Sequence, residues 1–166
     1  MNIFVLDSDP ERAARIQCDK HVVKMVLESV QMLCTAHHTN GLPHCAADAI
    51  YKPSYIKHPC TMWASQTTSN YRWLYDHAKA LSREYTRRYQ RFHKSARLLP
   101  TLSKNPCLIG ELTPFAQAMP DQYKNSDAVQ AYQDYYLLDK FANIKMTWKN
   151  CKPPHFIAKD NHDRAR

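Results

Sequence analysis

Between Cys18 and Leu33 the chain reads Cys-Asp-Lys-His-Val-Val-Lys-Met-Val-Leu-Glu-Ser-Val-Gln-Met-Leu. At helical periodicity this run separates two kinds of side chain. His21, Lys24, Glu28, Gln31 and Thr35 line one side, while Val22, Val23, Val26, Leu27, Val30, Leu33 and Cys34 fill the other. An imidazole, an ammonium, a carboxylate and an amide stacked about one turn apart can move protons or hold an anion. The competing reading is a solvated face with a Lys24–Glu28 ion pair. Glu28 is the candidate general acid/base, or the stabiliser of a developing cation, provided that burial or a partner tunes its carboxyl.

Other residues offer different chemistry. Cys18 with His21, Cys34 with His37 or His38, and His58 with Cys60 have spacings that could place two metal ligands together. No paired Cys-x-x-Cys occurs, and Pro59-Cys60-Thr61-Met62-Trp63 lacks the second cysteine of the zinc deaminase signature. Zinc is therefore not expected, and no cofactor is. A zinc-dependent hydrolase or nucleotide-processing enzyme using His21, Glu28, His58 and Cys60 stands as an alternative. Cys60 beside His58 is also the one local thiol–imidazole pairing, although adjacency does not make a catalytic dyad. The two glycines, Gly41 and Gly110, are too few for a phosphate-cradling loop.

Charge narrows the partner. Twenty-three Lys and Arg against 15 Asp and Glu give a formal net charge of +8, a balance that favours polyanions, and nucleic acid first among them. Cations bind phosphates without reading sequence, and aromatic side chains such as Tyr55, Tyr71 and Trp148 can stack on exposed bases. A non-catalytic nucleic-acid-binding accessory protein would use the same surface.

The elements that must position these groups read as helices. A compact, mainly α bundle of about three main helices joined by long Pro-containing loops is expected, with residues 1–157 as one domain and 158–166 as a charged, frayed tail. Ile3-Phe4-Val5-Leu6 reads as a buried extended lead-in. Asp9 caps a helix with Pro10 at its first position, running to about Ala36 with a break near Cys18. After an irregular stretch over 40–60, a second helix is expected from about Thr61 to Tyr89. A strap over Thr113–Pro120 follows, then a third helix capped by Ser126 with Val129, Tyr132, Tyr136 and Phe141 facing inward. The chain shows no apolar run of membrane-spanning length and no signal-peptide pattern, so a cytoplasmic, monomeric protein with its six scattered cysteines reduced is expected.

The Cys18–Met25 segment with Glu28, the His58-Pro59-Cys60 turn leading into the Trp63–Tyr89 helix, and the strap Met119-Pro120-Asp121-Gln122-Tyr123-Lys124 together resemble small phage and bacterial pyrimidine-dimer DNA glycosylases. The resemblance takes in most of the chain. In that family the first long helix carries an Asp-x-His segment followed, seven residues after the His, by the catalytic Glu; here Asp19-Lys20-His21 stands seven residues before Glu28. Glu84-Tyr85-Thr86-Arg87-Arg88-Tyr89 and Trp148-Lys149 are similar to the family's basic aromatic helix end and tail.

The resemblance implies a glycosylase with AP-lyase activity on damaged pyrimidines in double-stranded DNA. The N-terminal α-amine attacks the sugar C1′ to form an imine, the Glu assists, and β-elimination nicks the strand. α-Amines titrate near pH ~8, so far more of an α-amine than of a lysine is unprotonated at neutral pH. Asn2 is too large to favour removal of the initiator residue, so the amine would be that of Met1, with Glu28, His21 and Lys24 completing the catalytic group. The family's arginine before the catalytic Glu is Leu27 here, which moves phosphate binding to residues such as Lys20, Lys24 and Arg72. The expected DNA contacts are Lys20, Gln31, Lys57, His58, Arg72, Lys145, Trp148 and Lys149.

Overall fold

A computed structural model describes residues 1–41 and 46–157. The tail expected over 158–166, together with His44 and Cys45 of the histidine-bearing loop, lies outside the described residues. The fold is all-α, with no strand among the described residues. Its helices are α1 (Pro10–Ile16), α2 (Asp19–Thr39), α3 (Pro59–Gln66), α4 (Thr68–Tyr89) and α5 (Ala128–Tyr135), joined by short 3₁₀ turns. Helix α4 packs against α1 and α2, and α3 packs against α2. Val22, Val26, Val30 and Leu33 of α2 meet Leu74, Ala78 and Leu81 of α4 in one buried apolar cluster, which also takes in Ile3–Leu6.

Helix α1 begins as its sequence dictates: the Asp9 side chain accepts from Arg12 N, and Pro10 occupies the first turn, where its missing N–H costs nothing. The break falls at Gln17–Cys18, and α2 then runs past Ala36 to Thr39, where Asn40 N bonds back to Ala36 O.

The second helix is two. Its first part starts at Pro59, capped by the His58 ring, which accepts from Cys60 N at 3.2 Å. Thr67 is extended (φ −132°, ψ 158°), ending α3 and capping α4 through a bond from Asn70 N. The interruption has a distant cause: Thr68 N and Ser69 N donate to Leu108 O and Gly110 O, and Thr67 Oγ1 donates to Glu111 O. Loop 108–111 thus takes over donors that a continuous helix would have used internally. A Cβ on Gly110 would stand 3.0 Å from Thr67 Cγ2, so the loop approaches this closely only with glycine.

The third helix is capped by Asp127, not Ser126. Asp127 accepts from Val129 N and Gln130 N, whereas the Ser126 hydroxyl turns to Asn125. After Tyr135 the helix widens into a π-turn over Tyr136–Phe141. The strap crosses the bundle as expected: Phe115 packs against Trp63 and Trp73, and Tyr132 Oη donates to Ala116 O and accepts from Ala118 N.

Candidate active site

Helix α2 carries the polar stripe, but the stripe is not its solvent face. His21, Glu28 and Thr35 are buried, while Val23 and Leu27, expected in the core, are 39% and 38% exposed. The N-terminal lead-in lies over the stripe, shifting the helix's buried sector toward it and turning the Val23–Leu27 edge outward.

The lead-in is fixed by Asn2, the residue that sequence reasoning used only to keep Met1 in place. Its side-chain oxygen accepts from Ile3 N at 2.7 Å and Phe4 N at 2.9 Å, its amide donates to Ala118 O of the strap at 2.8 Å, and its own backbone N–H donates to Glu28 Oε2 at 3.0 Å. Phe4, held at a positive φ of 37°, stacks on the His21 ring at 4.4 Å. These restraints leave the α-amine of Met1 3.9 Å from Glu28 Oε2, while Lys24 Nζ approaches the other carboxylate oxygen at 3.3 Å. Glu28 therefore sits beneath two cations and a backbone donor.

A cavity of about 420 Å³ opens over this cluster. Met1, Asn2, Phe4, His21 and Glu28 form its inner wall, and Lys20, Lys24 and Lys140 bring three ammonium groups to it. Tyr135 and Lys140 arrive from α5 and the π-turn; the Lys140 ammonium lies 4.6 Å from the Tyr135 ring centre and 3.1 Å from Asp139 Oδ1. Burial opposes the Lys140 charge, but hydrogen bonds to Tyr135 and Asp139 outweigh it and raise its pKa. Sequence reasoning passed over Asn2, Phe4, Tyr135 and Lys140 as site residues. Nothing in their local spacing could have marked the last two, which reach the pocket through a widened helical turn.

His21 is not a cation here. Burial, then the charges of Lys140, Lys24 and Lys20, push its pKa down to about 4. Its Nδ1 lies 2.8 Å from Tyr136 Oη, which also accepts from Cys18 N. The arrangement that uses the phenolic proton has Tyr136 donating to Nδ1, leaving the His21 Nε2 protonated. His58 feels the same site: burial and then the N-terminal charge lower its pKa, with Glu28 acting in the opposite sense.

The zinc alternative required His21, Glu28, His58 and Cys60 to converge. Instead, His21 is committed to Tyr136, the His58 ring caps α3, and burial pushes the Cys60 thiol up to about 12, far from the thiolate a metal or nucleophilic role needs. Among the described residues no three His, Cys, Asp or Glu side chains are grouped to hold a metal. The five described cysteines carry no disulfide.

The expected DNA contacts divide. Lys20 lines the pocket, Gln31 continues the stripe from Glu28, Lys57 is exposed beside the His58 cap, and Lys145 is exposed next to pocket-lining Ile144. The others are occupied elsewhere. Arg72 pairs with Asp76 at 2.8 Å and borders a different cavity, of about 560 Å³, that shares no residue with this one. The Trp148 indole donates to Ile16 O at 2.9 Å, and Lys149 donates through its backbone to Asp19 with its ammonium 5.6 Å from the Tyr89 ring centre. Asp19, the first residue of the Asp-x-His segment, is likewise structural, accepting from buried Arg88 at 3.0 Å and from Thr147 Oγ1 at 2.7 Å.

The family model for pyrimidine dimer DNA glycosylases matches residues 1–98, more than half of the chain. The chain belongs to the pyrimidine dimer DNA glycosylase family. Searches of curated proteins and of solved structures returned no match. As a glycosylase of this family it is a DNA-repair protein with DNA as substrate, and no described helix is long and apolar enough to cross a membrane. The matched span contains the lead-in, the α2 stripe and the His58 cap. This glycosylase draws the rest of its pocket, Ala118, Tyr135, Lys140 and Ile144, from beyond that span.

Proposed function

We propose that the chain cleaves the glycosidic bond of a damaged pyrimidine in duplex DNA with the α-amine of residue 1 as nucleophile and Glu28 as its proton partner, and then nicks the strand as a lyase. The observation that carries this reading is the 3.9 Å separation of the Met1 amine and Glu28 Oε2 at the wall of a cation-lined cavity. A water bridges such a gap with ease, and substrate binding can close it.

In the glycosylase step the amine lone pair attacks C1′ and the C1′–N bond breaks, its electron pair leaving with the base, which takes up a proton. Glu28 accepts the proton lost by the amine and returns one to the ring oxygen as the sugar opens to an imine. In the lyase step Glu28, a carboxylate again after protonating the ring oxygen, takes a C2′ proton; the pair from that C–H bond forms the C2′–C3′ double bond as the C3′–O bond breaks and the phosphate leaves with its electron pair, and water then hydrolyses the imine to free the amine. Lys20, Lys24 and Lys140 offset phosphate charge at the rim. Neutral His21 supports Phe4 from below and so holds the lead-in over Glu28. The backbone nitrogen of Asn2 lies 3.0 Å from the same oxygen, so a chain shortened by one residue would still present its amine to Glu28.

Borohydride reduction in the presence of ultraviolet-irradiated duplex DNA tests the reading. A covalent adduct mapping to the N-terminal residue is expected. Base release with no trapped adduct would remove the amine chemistry and keep the glycosylase, and tight binding of the irradiated duplex with neither adduct nor base release would leave a DNA-binding accessory protein.

A further inference from the structure

Of Tyr55, Tyr71 and Trp148, the aromatic residues that the sequence offers for stacking on a base, the structure leaves Tyr55 available; Phe92, 90% exposed just beyond α4, borders cavities that share no residue with the Glu28 pocket. Tyr71 is fully buried with its hydroxyl on Leu102 O, and Trp148 is tied to Ile16 O, whereas Tyr55 is 66% exposed. Tyr55 also has φ +50°, a left-handed conformation that a bulky side chain rarely adopts. Ile56, next to it, is 54% exposed.

The backbone beneath these two side chains is stitched down. Thr35 exchanges two hydrogen bonds with Ser54, at 3.0 and 3.2 Å, His58 N donates to Tyr55 O at 2.9 Å, and His38 Nε2 lies 3.0 Å from Tyr51 O. The result is a rigid turn with an aromatic and an aliphatic side chain at its tip, flanked by exposed Lys52 and Lys57. Thr35 lies on the same stripe as Glu28, seven residues on, or about 10 Å along the helix axis. That spans about three stacked bases, at about 3.4 Å per base. On the other side, His58 ends the turn and feels the charges of both the N-terminus and Glu28.

We propose that the Tyr55–Ile56 turn is a wedge for duplex DNA, with the Tyr55 ring entering the base column about three steps from the nucleotide held at Glu28, unstacking that step and bending the duplex so that the nucleotide can be drawn into the pocket. The inference rests on the glycosylase reading for the position of the nucleotide. The left-handed backbone at Tyr55 is the strain that holds the ring outward, and the flanking lysines meet the phosphates on either side of the step. Apolar and aromatic side chains that enter a base step in this way kink the duplex and unstack it locally.

The test compares Tyr55→Ala, Tyr55→Gly and Tyr55→Phe with the unaltered chain. Removing the ring should lower kcat/KM on an irradiated duplex by about tenfold or more, the scale of one lost base–aromatic stack. Cleavage of an abasic site in a single-stranded oligonucleotide, where no column needs opening, should be unchanged. Tyr55→Phe should behave as the unaltered chain. Tyr55→Gly should raise Tm while losing duplex activity, which separates the wedge from a merely structural role and guards against misfolding. Tyr55→Trp gives a readout independent of chemistry: its added fluorescence should be quenched when an abasic-analogue duplex binds, binding being followed by anisotropy of labelled DNA. Equal losses on single-stranded and duplex substrates, unaltered duplex activity without the ring, or binding without quenching would each overturn the wedge. Quenching without a borohydride adduct would keep the wedge and remove the proposed chemistry, and a chain that binds no duplex overturns both.

Discussion

Glu28 is the residue on which the chemistry turns, and its surroundings predict what its loss does. Glu28→Gln keeps the size and the acceptor for Asn2 N but removes the charge beneath Met1 and Lys24. Trapping and strand nicking on irradiated duplex should fall by about 10²- to 10⁴-fold, the usual worth of a positioned acid/base, with DNA binding retained in a mobility-shift assay. His21 and His77 predict a pH effect on stability. His77 donates from Nδ1 to Pro10 O and accepts from Gln17 at Nε2. Burial, opposed in part by that carbonyl, pushes its pKa down to about 4, and His21 reaches the same value for its own reasons. Both rings are neutral in the fold but charge near pH ~6.5 when unfolded. Their contribution is therefore intact above pH ~6.5 and lost as pH falls toward about 4. The unfolding free energy from urea titrations should drop across that window, by an amount on the order of 3 kcal/mol per ring. A flat profile between those values would contradict both assignments. The stripe containing Glu28 was legible because helical spacing is local. What covers it was not, since the lead-in and strap come from 26 and 90 residues away in sequence.

Among elements, Arg88 of α4 is the clasp. Its guanidinium is fully buried and donates to Arg15 O and Gln17 O at the end of α1, to Asp19 Oδ1 at the start of α2, and to Glu84 Oε2 one turn earlier. Asp19 in turn accepts from Thr147 Oγ1 and Lys149 N, so the same group holds the C-terminal segment. Arg88→Ala leaves the buried Asp19 carboxylate and two carbonyls without their cation, while Glu84 keeps Arg87 at 2.6 Å. It should cost about 3–5 kcal/mol in chemical denaturation, and amide exchange over 145–150 should rise. A loss under about 1 kcal/mol would mean that water replaces the clasp, as at exposed ion pairs. The helices themselves were largely legible: Asp9-Pro10 marked a start, and the period of Asn70, Leu74, Ala78 and Leu81 marked the buried face of α4. The split at Thr67 was not, because its cause is the set of carbonyls on loop 108–111. The π-turn after Tyr135, which brings Lys140 to the pocket, was hidden for the same reason: periodicity describes a helix that stays regular.

At the scale of the whole molecule, the net charge of +8 says less than its distribution. Much of the basic flank of α4 is answered within the chain: Arg72 by Asp76, Arg83 by Glu11, and Arg87 and Arg88 by Glu84. Lys20 and Lys57, by contrast, have no carboxylate partner among the described residues, and they flank Glu28 along α2: Lys20 lines the pocket near the start of the helix, and Lys57 belongs to the Tyr55 turn anchored at Thr35. A duplex lying along α2 from the pocket to the Tyr55 turn would displace counterions through Lys20, Lys24, Lys52, Lys57, Lys140 and Lys145. The logarithm of its binding constant should then fall with the logarithm of salt at a slope of about −5, roughly −0.9 for each phosphate met. Lys20→Gln should flatten that slope by about 1, whereas Arg72→Gln, which removes a cation already paired with Asp76, should leave it unchanged. Titrating labelled duplex with each variant at several salt concentrations reads the difference. If Arg72→Gln flattens the slope and Lys20→Gln does not, the DNA runs over α4, and neither Glu28 nor the Tyr55 turn can lie beneath it.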